Sequence, residues 1–172
     1  MSKVYRIGEN KLFDKGYKMN IILALNPTWA NKIYAGEKIL EFRKTIPKTL
    51  LRVANFYRPQ DLKIYIYETG KNGGITGFCR FKNFIFTKLY FDDNGKIIKP
   101  EQAAFDTETY KETIIYGGGM ISEEQLYKYS LPKRNLYMWR ITDPNRFKQK
   151  ISIELFGMKK PPQSWCYTNM NF

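Results

Sequence analysis

The chain has 172 residues, 29 Lys and Arg against 16 Asp and Glu, a formal net charge of +13 and no histidine. Without histidine there is no Ser-His-Asp or Cys-His catalytic pair and no histidine-ligated zinc, and two isolated cysteines, Cys79 and Cys166, suggest neither a disulfide framework nor a thiolate metal site. The positive charge makes a polyanion the first partner to consider. The 16% of aromatic residues interleaved with Lys and Arg suit nucleic acid in particular, because bases stack on rings while cations hold phosphates.

Residues 1–18 are polar, basic and aperiodic, and read as an arm or an edge strand. No stretch is apolar enough to span a membrane, and no signal-peptide core follows the first lysine, so a cytoplasmic protein with reduced thiols is expected. Ile21 to Leu25 is a short buried strand. Asn26 then supplies an N-cap and Pro27 a first helical position, predicting a helix to about Ala35 that Gly36 ends in the left-handed conformation. Trp29 and Ile33 share a face of it and read as core.

After Gly36, EKILEFRK alternates with period two, placing Leu40 and Phe42 on one face and Ile39, Glu41 and Arg43 on the other. KIYIYET at 63–69 alternates again, with Tyr65 and Tyr67 on one face and Glu68 on the face of Ile64 and Ile66. A carboxylate on an apolar face needs a cation or donors, and Lys38 or Arg43 is the expected partner. KNGG at 71–74 is a hairpin turn and ITGFCRFKNFIF the returning strand.

From 91 to 120 the periodicity dissolves into an irregular insertion with a short helix near 102–105; its glycines 117–119 read as a linker, and the insertion is the place for a protein partner. Ser122 and Gln125 then form a capping box, with Ile121 and Leu126 at the staple positions of a helix to about Tyr129. NLYMWRI at 135–141 is a strand stopped by Asp143 and Pro144. ISIELF ends at Gly157, and the closing PPQSWCY turns Trp165 and Tyr167 one way and Cys166 the other. Short strands outnumber helices, so the fold class is α+β, a small and mostly antiparallel barrel with two or three packed helices in one domain over 19–172.

Several features, in order, resemble the ASCH family of the PUA-like superfold. The family's signature is a helix followed by G-x-K-x-x-E-x-R, and this chain has Gly36, Lys38, Glu41 and Arg43 in that spacing. KIYIYET leading to ITGF, ISEEQLYKY, LYMWRI and FGMKKPPQSWCY are similar too, so the likeness covers roughly 20–168. The resemblance implies a pseudobarrel with a cleft beside the first helix, in a family regarded as binding RNA or acting on modified nucleosides, with amidohydrolases and ribonucleases among its members. In the amidohydrolase pattern a threonine stands three residues after the lysine and a separate glutamate completes the set; here Glu41 holds the threonine position and Glu68 is the separate acid.

Two uses of these side chains are open. In a binding site Lys38 and Arg43 hold phosphate or a base edge, Glu41 accepts from an amino group, and Trp165 or Tyr67 stacks on the base. In a catalytic site Glu41 or Glu68 activates water and Lys38 stabilises the oxyanion, with no metal and no cofactor. Glu41 in the threonine position sets binding ahead: a nucleic-acid module, RNA or another single strand before duplex DNA, with a metal-independent amidohydrolase or nuclease and a basic inhibitor of a nucleic-acid enzyme as the alternatives. Lys44, Lys48 and Arg52, then Arg58 and Lys63, then Lys128, Lys133 and Arg134 are the basic clusters expected to flank the cleft.

Overall fold

The structure, a computed structural model, describes residues 20–48, 50, 62–83, 88–98, 118–132 and 135–172. Its strands are β1 (Asn20–Leu25), β2 (Leu40–Arg43), β3 (Lys63–Glu68), β4 (Gly74–Asn83), β5 (Lys88–Phe91), β6 (Ile97–Ile98), β7 (Asn135–Ile151) and β8 (Trp165–Thr168). The helices are α1 (Pro27–Tyr34) and α2 (Glu123–Ser130), with one 3-10 turn at Ile153–Phe156. The strands join into one sheet in the order β6-β5-β7-β4-β3-β1-β8, from which β2 branches by pairing with β7. Only β1 and β3 run parallel among the described pairs. A parallel pair requires a crossover, and the one between these strands carries α1 and β2. The result is the expected α+β pseudobarrel, with its sheet left open.

β1 is buried at all six positions because it lies between β3 and β8 with side chains covered on both faces. Ile21, Leu23 and Leu25 enter one core cluster with Ala30 and Ile33 of α1, Ile64, Ile66, Phe81 and Trp139. Ile22 and Ala24 enter a second with Tyr65, Tyr67, Ile75 and Phe156 on the other face. A third lies under α2, where Leu126 meets Leu40, Phe42, Leu136 and Met138.

Both helix starts match their sequence signals. The Asn26 side chain accepts from Thr28 N, Pro27 is the first helical residue, and Gly36 follows at φ +75°. Ser122 and Gln125 make the reciprocal capping box of α2. In β8, Trp165 and Tyr167 pack on the first core cluster and Cys166 on the other face, as alternation requires.

Two expectations are corrected, one for β7 and one for the irregular insertion. Asp143 and Pro144 do not end β7. Asp143 takes a positive φ of 48°, the ladder to β4 shifts register at several points, and the strand continues to Ile151, which pairs with Ile75. ISIELF contributes a 3-10 turn, capped by Ser152 at its start and closed by Gly157 at φ +74°. The irregular insertion opens with order: β5 and β6 are joined by a turn in which the Asp92 side chain accepts from the amides of Asn94 and Lys96. The arm at 1–18, the short helix near 102–105, and Arg52, Arg58, Lys133 and Arg134 of the basic clusters lie outside the described residues. No helix among the described residues is long and apolar enough to cross a membrane.

Candidate functional site

A cleft of about 150 Å³ opens where the C-terminal end of β1 meets α1, β2 and the ends of α2. Leu25 and Asn26 form its lip, Lys38, Glu41 and Arg43 its polar side, and Trp29, Phe42, Ile121 and Tyr129 its apolar walls. The size is informative: a cavity of ~150 Å³ takes up a single six-membered aromatic ring.

The alternation of β2 builds the polar side. Leu40 and Phe42 face α2, so Glu41 and Arg43 must face the opposite way, and both are buried there. Glu41 sits between two cations, with Oε1 2.9 Å from Arg43 Nε and Oε2 3.6 Å from Lys38 Nζ. The Arg43 contact is one of charge, since the Nε–H direction misses that of a hydrogen bond. Arg43 also donates to the Ala24 carbonyl at 2.7 Å and to Ser164 Oγ at 3.4 Å, which ties β2 to β1 and to the segment before β8.

The Lys38 ammonium donates to the carbonyls of Leu40 at 2.6 Å and Gly119 at 2.9 Å, and lies 5.4 Å from the Trp29 ring centroid and 5.0 Å from that of Phe42. Glu41 adds a charge contact at 3.6 Å to these two hydrogen bonds. Burial holds its pKa below the ordinary lysine value, and the Glu41 charge works against that shift. Gly118 accepts from Ile39 N, and a Cβ there would collide with the Ile39 side chain. The glycines read as a linker are thus, at 118 and 119, packed against Ile39 and Lys38.

The side chains expected at one site divide. Lys38, Glu41 and Arg43 line the cleft together. Glu68 is buried as expected, but its partners are Arg146 at 3.4 Å and Lys150 at 3.3 Å in place of Lys38 or Arg43, and it does not line the cleft. Side-chain alternation and the register shift against β4 at Ile66 and Tyr67, where Thr76 of β4 is the extra residue, carry it to the far flank of α1. Tyr67 is buried in the core cluster on the opposite sheet face, where no base can stack. Trp165 stands behind the cleft, edge-on to Trp139 at 6.3 Å and donating to Thr45 Oγ1 at 2.9 Å. Among the described residues no group of three or more Cys, Asp or Glu gathers as a metal would need, and both cysteines are free thiols.

Trp29, read as core, is a half-buried wall whose other edge packs on the first core cluster. The signal that separates it is angular: Ala30 and Ile33 carry the buried stripe, and Trp29 falls on its flank, one turn from Lys32, whose ammonium lies 5.0 Å from the indole centroid. Tyr129 and Ile121 had no sequence signal beyond the helix ends that place them. Lys44 does flank the cleft, donating to the Leu131 carbonyl at 2.7 Å and lying 5.2 Å from the Tyr129 ring centroid.

This arrangement of sheet, helix and cleft recurs in solved structures. An ASCH protein of Zymomonas mobilis superposes with a TM-score of 0.58 at 20% identity, covering 86% of each chain. The chain has the ASCH fold. Two mutants of the Zymomonas ASCH protein, one tyrosine-to-phenylalanine and one serine-to-alanine, match equally, with TM-scores of 0.57 and 0.58, identities of 21% and 20%, and 86% and 88% of this chain against 88% and 89% of theirs. No protein-family model matches the sequence, and no curated protein matches it. At such identity the ASCH likeness speaks for the fold, and the chemistry must come from the cleft itself.

Proposed function

We propose that the chain is a nucleic-acid-binding module of the ASCH fold that takes one base of a single strand, RNA foremost, into the cleft beside α1. The observation that carries this is the make-up of the cleft: an acceptor, Glu41, fixed between two buried cations and facing a space of one ring, with Trp29, Phe42 and Tyr129 as walls. Glu41 accepts from an exocyclic amino group of the base, and Trp29 supplies the stacking face. Arg43 and Lys38 hold Glu41 and the floor in place, so the site needs little reorganisation on binding. The +13 charge of the chain draws the strand in. Two free thiols and the lack of a membrane-spanning helix among the described residues are in keeping with a cytoplasmic setting.

Binding is favoured over hydrolysis by the state of Lys38. Two of its donor directions are taken by the Leu40 and Gly119 carbonyls, and the Glu41 carboxylate 3.6 Å away would repel a developing negative charge at an oxyanion.

The test is fluorescence anisotropy of labelled single-stranded RNA and of duplex DNA across a salt series, with turnover of RNA and of acetylated cytidine followed in parallel. The expected result is RNA binding that falls steeply with salt and weakens in Trp29→Ala. No binding at low salt, a flat salt response, or turnover lost in Lys38→Ala would overturn it.

A further inference from the structure

On the flank of α1 away from the cleft stands a second group of charges. Glu68 has 5% of its side chain exposed, whereas Arg146 and Lys150, which it pairs with, have 51% and 49%. One buried carboxylate thus holds two cations whose outer halves face solvent. Arg146 is fixed further: it donates to Asn31 Oδ1 at 3.0 Å and its guanidinium lies 5.0 Å from the Tyr34 ring centroid, while the Tyr34 hydroxyl is itself bonded to Thr76 Oγ1 at 2.8 Å. Lys150 donates to the Asn72 carbonyl at 3.2 Å. Such cations lose little side-chain freedom on meeting an anion, and an arginine held this way suits the planar fork of a phosphate.

The helix relates this group to the cleft. At about 100° per residue, Ala30 and Ile33 are buried beneath α1, Trp29 and Lys32 project on the cleft side, and Asn31 and Tyr34 on the Arg146 side. A helix with its side chains is about 10–12 Å across. That equals roughly three nucleotides at the ~3.4 Å spacing of a stacked strand. We propose that Arg146 and Lys150 are a phosphate seat for the backbone of a single-stranded nucleic acid that crosses α1 from the cleft. The inference rests on the cleft reading for the strand's path, and on the geometry of Glu68, Arg146 and Lys150 for its chemistry.

The test measures anisotropy of a labelled single-stranded dinucleotide and octanucleotide across a salt series, for the wild type, Arg146→Gln, Lys150→Gln, Arg146→Lys, Trp29→Ala and the surface control Lys159→Gln. Arg146→Gln and Lys150→Gln each leave Glu68 one cation, and thermal melts verify that every variant is folded. For the octanucleotide, Arg146→Gln and Lys150→Gln each lower the slope of log affinity against log salt by about 0.7, the amount for one phosphate contact on a single strand. Arg146→Lys retains the slope, Lys159→Gln changes it less, and the dinucleotide responds to none of them. If Trp29→Ala weakens the octanucleotide while Arg146→Gln and Lys150→Gln keep the wild-type slope, the phosphate seat is overturned and the cleft stands. If those two lower the slope and Trp29→Ala does nothing, the seat stands and the base cleft falls. An equal loss in Lys159→Gln overturns the seat as diffuse charge, and a wild type that binds neither strand overturns both.

Discussion

On either flank of α1 one carboxylate is set between two cations, and the two triads differ in which member meets water. At Glu41 all three side chains are buried, with relative exposures of 4% for Lys38, 4% for Glu41 and 8% for Arg43, and the cations are tied to backbone carbonyls. At Glu68 the acid is buried and both cations are half exposed. The same charges therefore do different work. The first triad presents a fixed acceptor to a ring-sized cleft, and its cations are internal fasteners between β2, β1 and the Gly119 carbonyl. The second presents cations, with the acid as the fastener.

The contrast is broken most directly by removing each carboxylate. Glu41→Ala strands two buried cations and should cost about 3–5 kcal/mol in urea unfolding, the range for breaking a buried pair. Glu68→Ala leaves cations that turn to solvent and should cost about 1 kcal/mol or less. Equal losses would erase the distinction.

Next in size is the aromatic wall. Trp29→Ala should weaken single-strand binding by about 1–3 kcal/mol, the worth of one base stack, and Trp29→Phe should restore most of it in the same anisotropy titration. A wild-type affinity in Trp29→Ala would mean that the base goes elsewhere.

Cap removal tests whether the Tyr129 wall depends on the start of its helix. Ser122→Ala removes the α2 cap, and about 1 kcal/mol of stability should be lost by urea midpoint, with Tyr129 farther along the same helix loosened in hydrogen exchange. Protection unchanged at α2 would detach the cap from the cleft.

The smallest effect is one of pH. Burial lowers the folded-state pKa of Lys38, so below the ordinary lysine pKa of about 10.4 the unfolded chain binds the proton more tightly than the folded one. Stability contributed by this group therefore rises as pH climbs from the folded toward the unfolded pKa, and is lowest where Lys38 is charged in both states. Tyr34 and Cys79, whose pKa values burial raises, push the opposite way at alkaline pH. The difference between wild type and Lys38→Met isolates the lysine: it should shift in favour of wild type across that alkaline window, and a flat difference would place Lys38 in a more solvated setting.

How much of this was legible in the sequence follows from what each signal encodes. Caps and period-two alternation are local, so Asn26, Ser122 and the two faces of Leu40–Arg43 were read correctly, whereas Ile39, just before the strand, packs with Leu40 and Phe42 and not with Glu41. Lys38, Glu41 and Arg43 as the polar side of a cleft came from the likeness to the ASCH signature, because alternation alone sets Lys38 on the other face from Glu41 and Arg43. The partner of Glu68 was not legible, because it is set by a β7 that continues past Asp143 and Pro144 to bring Arg146 and Lys150 across β4. Trp29 was misplaced because helical spacing puts Ile33 near its face without showing where the buried stripe is centred, and Tyr67 because alternation gives two faces without saying which is core. Gly118 and Gly119 carry no side chain to betray the carbonyls that accept from Ile39 N and the Lys38 ammonium.

The account's central claim is that a base enters between Glu41 and Trp29, and the three tryptophans allow it to be tested within one spectrum. Trp29 lines the cleft, Trp139 is buried in the core and Trp165 stands behind the cleft on β8. In a proton–nitrogen correlation spectrum of the labelled protein titrated with single-stranded RNA, the account predicts that the Trp29 indole signal moves with saturation while that of Trp139 stays in place. Saturable RNA binding with the Trp29 signal unmoved would contradict it.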